Sequence, residues 1–273
     1  MAGHSLAPLP LIAAGTPIVN LGLILVILGA VVVVGTIVAF FVPYMFFDWF
    51  TYRFWVVHAI IAAGAIIAIT GWILGGPAFV AIIAIVLAVG WFVLTTVENR
   101  IPGSRRLAVG PGDPLPAFRL TTVDGRTVDE RDVTARAPAL LVFYRGWWCP
   151  TSRMQMHDLL DAYDELAAAG LTIYAASVDG AEEAAPLQEL VGDRITILCG
   201  LDAATLDAVG AHDTRGRPWF TRPFVGGTSE MTAMPTSLVV DRAGRILMAH
   251  RAKRVDDRPV PLRWLRSPRL ASS

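Results

Sequence analysis

Residues 17–42 carry no charged side chain, and neither do residues 54–97. About 20 apolar residues cross the roughly 30 Å hydrocarbon core of a bilayer, so the first stretch predicts one spanning helix. The second stretch, built as one helix, would measure roughly 66 Å, about twice what a bilayer needs. Gly75-Gly76-Pro77 interrupts it and predicts two spans, about 54–74 and 77–97, joined by a short turn. Pro43 is expected to end the first span. An aromatic cluster from Tyr44 to Trp55 surrounds Asp48 and Arg53, as at a membrane interface. The segment is far longer than a signal-peptide core and has no basic residue ahead of it, so a cleaved leader is not expected.

Beyond residue 98 the pattern changes. Turn-rich stretches at Pro102–Arg106 and Gly110–Pro114 read as a linker. Residues 117–122 and 126–129 flank Asp124-Gly125, a hairpin signal. The apolar run Ala139–Tyr144 reads as a buried central strand. A helix is predicted over 151–169, closed by Gly170, then a strand over 171–177, a helix over 182–191 and a strand over 195–199. A helix over 203–209 and a hairpin of residues 237–241 and 245–249 complete the series. Strands alternating with helices predict a βαβ sheet. The fold class is therefore a membrane α-helical part with three transmembrane helices, followed by an α/β domain. Residues 1–100 form the first part, 101–112 the linker, 113–252 the α/β domain and 253–273 a basic tail.

Charge sharpens the division. Of 23 basic and 23 acidic residues, only Asp48 and Arg53 fall within residues 1–97. The formal net charge is zero, which gives no reason to expect nucleic acid as a partner. Arg53, Arg100, Arg105 and Arg106 all flank the same side of a three-span topology. The positive-inside rule then predicts a multi-pass cell-membrane protein with residues 98–273 in the cytoplasm. Small residues in the second span, including Gly64, Ala68 and Gly71, permit close helix packing, although an Ala-rich chain also produces such spacing by chance. His58 reads as an interfacial polar contact, because no second His lies in the spans.

Two cysteines, Cys149 and Cys199, are too few for a disulfide scaffold, and no Cys/His spacing of the zinc type is present. No metal and no other cofactor is expected. Cys149 falls where the first buried strand gives way to a helix. A thiol there faces unpaired backbone N–H groups and the positive end of the helix dipole, which favour thiolate and make the sulfur a nucleophile. Arg145 adds positive charge, Pro150 suits the first helical position, and Trp147 and Trp148 either shield the sulfur or form a docking surface. A buried, inert cysteine is the alternative.

The run Phe143-Tyr144-Arg145-Gly146-Trp147-Trp148-Cys149-Pro150-Thr151-Ser152 resembles the F-Y-R-G-x-W-C-P-x-C signature of thioredoxin-like proteins of the alkyl hydroperoxide reductase/thiol-specific antioxidant group. Met234-Pro235-Thr236-Ser237 resembles that family's cis-proline segment, and Gly112–Phe118 its entry motif. The resemblance covers about residues 110–252. It implies a thioredoxin-like, peroxiredoxin-like antioxidant domain with Cys149 as nucleophile, Ser152 in the place of the second cysteine, and Pro235, with a cis Met234–Pro235 bond, against the thiol. The chain departs from the pattern at three points. Ser152 leaves no C-x-x-C dithiol. Gly146 stands where peroxiredoxins have Thr or Ser, and Met234 stands where they have a peroxide-binding Arg.

A single reactive thiol needs a partner thiol to be reduced again, and Cys199 is the only internal candidate. Residues 212–224, rich in Arg and aromatics, are expected to rim the site or form a solvated loop. His157 lies too far along the helix to serve as a base. The basic residues of the tail, from Arg251 to Arg269, suit either an anionic lipid surface or a disordered tail. The function expected is a membrane-anchored thiol oxidoreductase in which the Cys149 thiolate reacts with a disulfide or peroxide. The alternative is a non-catalytic thioredoxin-like interaction or assembly subunit of a membrane complex, such as a respiratory one. Membrane lipid, a thiol donor or a membrane protein complex are the partners expected.

Overall fold

The computed structural model describes residues 20–47, 54–99, 107–217, 231–254 and 257–266. The chain divides into two compact units, residues 1–39 with 53–92, and residues 40–52 with 93–273.

The three apolar stretches are helices: α1 (Leu21–Phe46), α2 (Phe54–Ile73) and α3 (Ala78–Asn99). Each is long and apolar enough to cross a membrane. Pro43 does not end α1; the helix runs three residues further, to Phe46. Proline removes one N–H, but its own carbonyl still accepts from Phe47, at 3.1 Å, so the final turn closes. Between α2 and α3 the turn relies on Gly75, whose φ of +89° suits a residue without Cβ.

Within the first unit, α1 and α2 meet through glycine. A Cβ on Gly29 would lie 2.4 Å from the Ala68 nitrogen, and one on Gly71 would lie 2.4 Å from the Val26 nitrogen. Gly64 meets Val32 and Val33 in the same seam. Lipid tails give no hydrophobic drive for helices to associate, so such close backbone approach supplies the dispersion contact instead. The small residues of the second span are thus a packing face.

The second unit is built on a seven-stranded mixed sheet. Its strands are β1 (Arg119–Thr122), β2 (Thr127–Asp129), β3 (Ala139–Phe143), β4 (Thr172–Ala176), β5 (Thr196–Cys199), β8 (Thr236–Val240) and β9 (Ile246–Arg251). The short pair β6 (His212–Asp213) and β7 (Thr232–Ala233) forms a separate sheet. In the main sheet the order is β2-β1-β5-β4-β3-β8-β9, with β3, β4 and β5 parallel. Side-chain alternation along β3 divides the core. Ala139, Leu141 and Phe143 point to one face, with Leu206 and Leu238. Leu140, Val142 and Tyr144 point to the other, with Met156, Leu166 and Leu187.

The helices of this unit are α4 (Glu130–Ala135), α5 (Pro150–Asp161), α6 (Tyr163–Ala168), α7 (Ala181–Val191) and α8 (Ala203–Val209). The helix expected over 151–169 is broken at Ala162 into α5 and α6. Helix α4, not anticipated, starts with a capping box in which Asp129 and Asp132 exchange side-chain and backbone bonds. The C-terminal segment is not wholly a surface tail. Leu262 and Leu265, on a 3-10 turn over Pro261–Arg266, pack against the α5–α7 face of the core.

Gly29→Val should therefore loosen the first unit by about 1–3 kcal/mol, as overpacking does in well-packed interiors. Gly35→Val, where an added Cβ meets nothing within 4 Å, should leave it unchanged. Thermal melting of the two variants in detergent checks this; equal melting would contradict the glycine seam.

Candidate active site

Residues 144–149 carry the chain from β3 into α5. Tyr144 extends the sheet by donating its N–H to Ala176 O at 2.9 Å. Gly146 then turns the chain with φ at +141°. A Cβ at this point would lie 2.6 Å from Trp148 Nε1 and 2.7 Å from Asp179 Oδ1. The hydroxyl residue that peroxiredoxins carry at this position has no room here. Asp179, buried after β4, accepts the Trp147 N–H at 2.7 Å and so pins the turn.

Cys149 is the N-cap of α5 in extended conformation, with Pro150 in the first helical turn. Its carbonyl accepts from the Ser152 and Arg153 N–H groups at 2.9 and 3.1 Å. The side chain is 2% exposed. Its Sγ lies 3.0 Å from Thr151 Oγ1 and receives a further hydrogen bond from Ser152. The Ser152 hydroxyl in turn accepts the Arg145 N–H at 3.3 Å. Thr151 thus brings a hydroxyl to the sulfur from the helix side, where Gly146 cannot bring one from the turn.

Arg145 is itself buried. Its Nη2 lies 3.6 Å from Asp213 Oδ2, and its guanidinium sits 4.8 Å from the Trp148 ring centre. Arg217 lies over the same ring at 5.4 Å. Asp213 is also held by Arg215, through Nε to Oδ1 at 3.1 Å and Nη2 to Oδ2 at 3.0 Å. The Arg-rich segment therefore fixes the guanidinium beside the thiol, as far as it is described; residues 218–230 lie outside the described residues. Arg153 bridges two carbonyls, donating to Trp147 O and to Met45 O at 2.8 Å each, with its guanidinium over the Trp147 ring. Residues 40–52 belong to this same unit.

Electrostatics at the sulfur are a contest. Burial pushes the Cys149 thiol up, while Arg145, Arg258 and the hydrogen bonds from Thr151 and Ser152 pull it down; the net shift is downward. Arg258, expected on a bilayer surface or in a disordered tail, thus acts on the thiol instead. The Cys199 thiol behaves oppositely: burial, reinforced by the Asp179 carboxylate, pushes it up to about 11. Burial also raises Asp179, to about 6, against the Trp147 N–H bond that favours its ionised form.

The two cysteines are not adjacent. Cys199 ends β5, and β4 stands between β5 and β3, so two strand spacings of roughly 4.8 Å separate the supporting strands. A disulfide needs Cα atoms within about 7 Å. Both thiols are free.

The Met234–Pro235 segment lies where expected but not in the expected conformation. The pairing of Phe143 with Thr236 brings Pro235 level with Tyr144, at the thiol end of the sheet. Yet this bond is trans; the cis peptide among the described residues is Ala137–Pro138. Met234 donates to Ala211 O at 2.6 Å, and Pro235 O accepts from Ala252 at 2.8 Å. The chain runs extended from β7 into β8, and no tight turn is made there. Met234 is buried and brings no charge to the sulfur.

Thr151, Arg153, Asp179, Asp213 and Arg258 were not singled out as site residues by the sequence. Thr151 carried the one usable signal, since a hydroxyl in the first turn of a helix is within reach of an N-cap side chain. Arg153 lies in the first turn of α5 but is tied to Trp147 and Met45 through its guanidinium, and Asp179, Asp213 and Arg258 come from distant segments.

Two Mycobacterium tuberculosis proteins, provisionally named peroxiredoxins, from strains H37Rv and CDC 1551, are each 28% identical to this chain over 139 residues. That span is 51% of this chain and 83% of theirs. Among solved structures, the peroxidoxin BcpB of Mycobacterium tuberculosis is similar with a TM-score of 0.47 and 16% identity, covering 60% of this chain and 96% of its own. Reduced Prx3 of Vibrio vulnificus gives a TM-score of 0.45 and 19% identity, covering 53% and 87%. The model of the AhpC/TSA family matches residues 111–249, which takes in Cys149, Pro235 and every strand from β1 to β8. A match over half the chain, taking in the thiol turn and most of the sheet that carries it, makes this protein a member of the AhpC/TSA family.

Proposed function

We propose that the protein is a membrane-anchored thiol peroxidase in which the Cys149 thiolate reduces a hydroperoxide. The observation that carries this is the buried sulfur at the start of α5, with a hydroxyl 3.0 Å away and its thiol drawn down by Arg145 and Arg258 against the effect of burial. The thiolate attacks the terminal peroxide oxygen and the O–O bond breaks. Sulfur becomes sulfenic acid, and the leaving alkoxide or hydroxide takes a proton and departs as alcohol or water. A donor thiol then attacks the sulfenic sulfur, releasing water and forming a mixed disulfide; a second thiol displaces Cys149 and restores it. In this scheme Thr151, Arg145 and Arg258 do the work that the family pattern assigns to the residues at positions 146 and 234. Ser152 cannot resolve the oxidised sulfur, because a hydroxyl does not ionise near neutral pH. The separation of β3 and β5 and the raised Cys199 thiol favour an external donor over Cys199. Three apolar helices supply the anchor, and the flanking arginines favour a cytoplasmic α/β domain.

The pH dependence of alkylation tests the nucleophile. Full-length protein should react with a small alkylating reagent at Cys149 with a midpoint below the roughly 8.5 of a free thiol, the rate falling as pH drops through that midpoint. Arg145→Met should move the midpoint upward by about one unit and slow alkylation at pH 7 about tenfold. A midpoint at or above the free-thiol value in the native protein would refute the proposal.

Peroxide reduction and trapping of mixed disulfides locate the resolving thiol. Cys149→Ser should abolish both. Cys199→Ser should leave turnover with an added thiol donor within about twofold of native, whereas accumulation of trapped adduct would show that Cys199 resolves. For topology, a reporter fused after Ser273 should behave as cytoplasmic; an external signal would place Cys149 in an oxidising compartment.

A further inference from the structure

The last turn of α1 belongs to the same compact unit as the thiol site. Two contacts tie it there. Arg153 donates to the Met45 carbonyl at 2.8 Å, one of the helix-end carbonyls that lack an intrahelical partner. The same guanidinium donates to Trp147 O at 2.8 Å, in the turn that leads to Cys149. One residue before Met45, the Tyr44 hydroxyl is hydrogen-bonded to the Thr151 side chain. Thr151 Oγ1 is the atom that lies 3.0 Å from Cys149 Sγ.

We propose that Tyr44, in the last turn of the first apolar helix, is a positioning residue for the Cys149 sulfur and acts through Thr151. The inference rests on the reading of Cys149 as nucleophile. A threonine hydroxyl has one proton and two lone pairs. Left alone, it is free to turn its proton toward any nearby acceptor. With the Tyr44 O–H donating to its oxygen, the Thr151 proton is directed at the sulfur, and the two bonds polarise one another in the same sense. The sulfur then receives a fixed donor, and a donor favours thiolate over thiol. Arg153 keeps the relay in register, since it holds the Met45 carbonyl and the Trp147 carbonyl on one planar group. Tyr44 lies outside the residues matched by the family model, so the relay is an addition made by the anchored chain. The thiol site is complete only when the end of the first helix is present.

The test is the pH profile of Cys149 alkylation in the full-length protein in detergent, with melting measured alongside. Tyr44→Phe keeps the ring and removes the donor. It should move the midpoint upward and slow alkylation at pH 7 roughly two- to fivefold, the range of one modest hydrogen bond. Thr151→Val should give at least the same shift, and Thr151→Ser should restore the native profile. The double variant Tyr44→Phe/Thr151→Val should be no slower than Thr151→Val alone. A fluorotyrosine at position 44, a stronger donor of nearly the same shape, should move the midpoint downward, which a purely structural role of the ring would not do. A Tyr44→Phe profile coincident with the native one, additive effects in the double variant, or no response to fluorotyrosine would each overturn the relay while leaving the nucleophile intact. A native profile like that of an ordinary thiol would overturn the nucleophile and the relay together.

Discussion

A sulfur anion taken out of water needs positive charge and hydrogen-bond donors held around it, and Cys149 is 2% exposed. Burial alone favours the protonated, less reactive thiol, and it is the first cause that pushes Cys199 up to about 11. The difference between the two cysteines is their surroundings. Cys199 sits in the apolar face of the sheet, where the Asp179 carboxylate adds to the effect of burial. Cys149 has Thr151, Ser152, Arg145 and Arg258. Much of the second unit serves to bring these groups together. The β6–β7 pair carries Asp213, which fixes Arg145, and Trp148 lies beneath two guanidiniums. Removing any one of these supports leaves a buried charge with a weaker partner, so the site is held as a unit.

The groups around Cys149 differ from those of the family pattern. Gly146 is fixed by sterics, because Asp179 and Trp148 occupy the space a side chain would take. A hydroxyl stands near the sulfur on Thr151 instead, and positive charge acts on it from the turn itself and from the segment after β9. Such an exchange is possible because the sulfur responds to charge and hydrogen bonds from any direction, whereas the backbone of the turn tolerates only one shape.

What was legible in the sequence follows from this. Apolar runs specify spans and buried strands over many residues, so the three helices, β3, β4, β5 and the final hairpin could be read directly. Cys149 and Pro150 form a local signature, since a helix N-terminus and its cap are adjacent in sequence. The rest depends on contacts between distant segments. Nothing around Arg258 indicates that its charge acts on the thiol, and nothing in Tyr44-Met45 indicates the hydrogen bonds that tie them to Thr151 and Arg153. Asp179 looks like any acid in a loop until the 2.7 Å bond to Trp147 is seen. The cis Met234–Pro235 bond was an expectation from family resemblance, and the local geometry differs because β7 leads straight into β8. Pro43 has the look of a stop in the sequence, but a proline this near a helix end costs only one bond.

The most direct measurement is the mass of the Cys149 peptide after one equivalent of hydroperoxide is mixed with the full-length reduced protein in detergent, with a sulfenic-acid reagent present. The account predicts rapid capture of one oxidised sulfur at Cys149, none at Cys199, and none in Cys149→Ser. A Cys149 peptide that stays reduced while a free low-molecular-weight thiol in the same mixture is oxidised would contradict it.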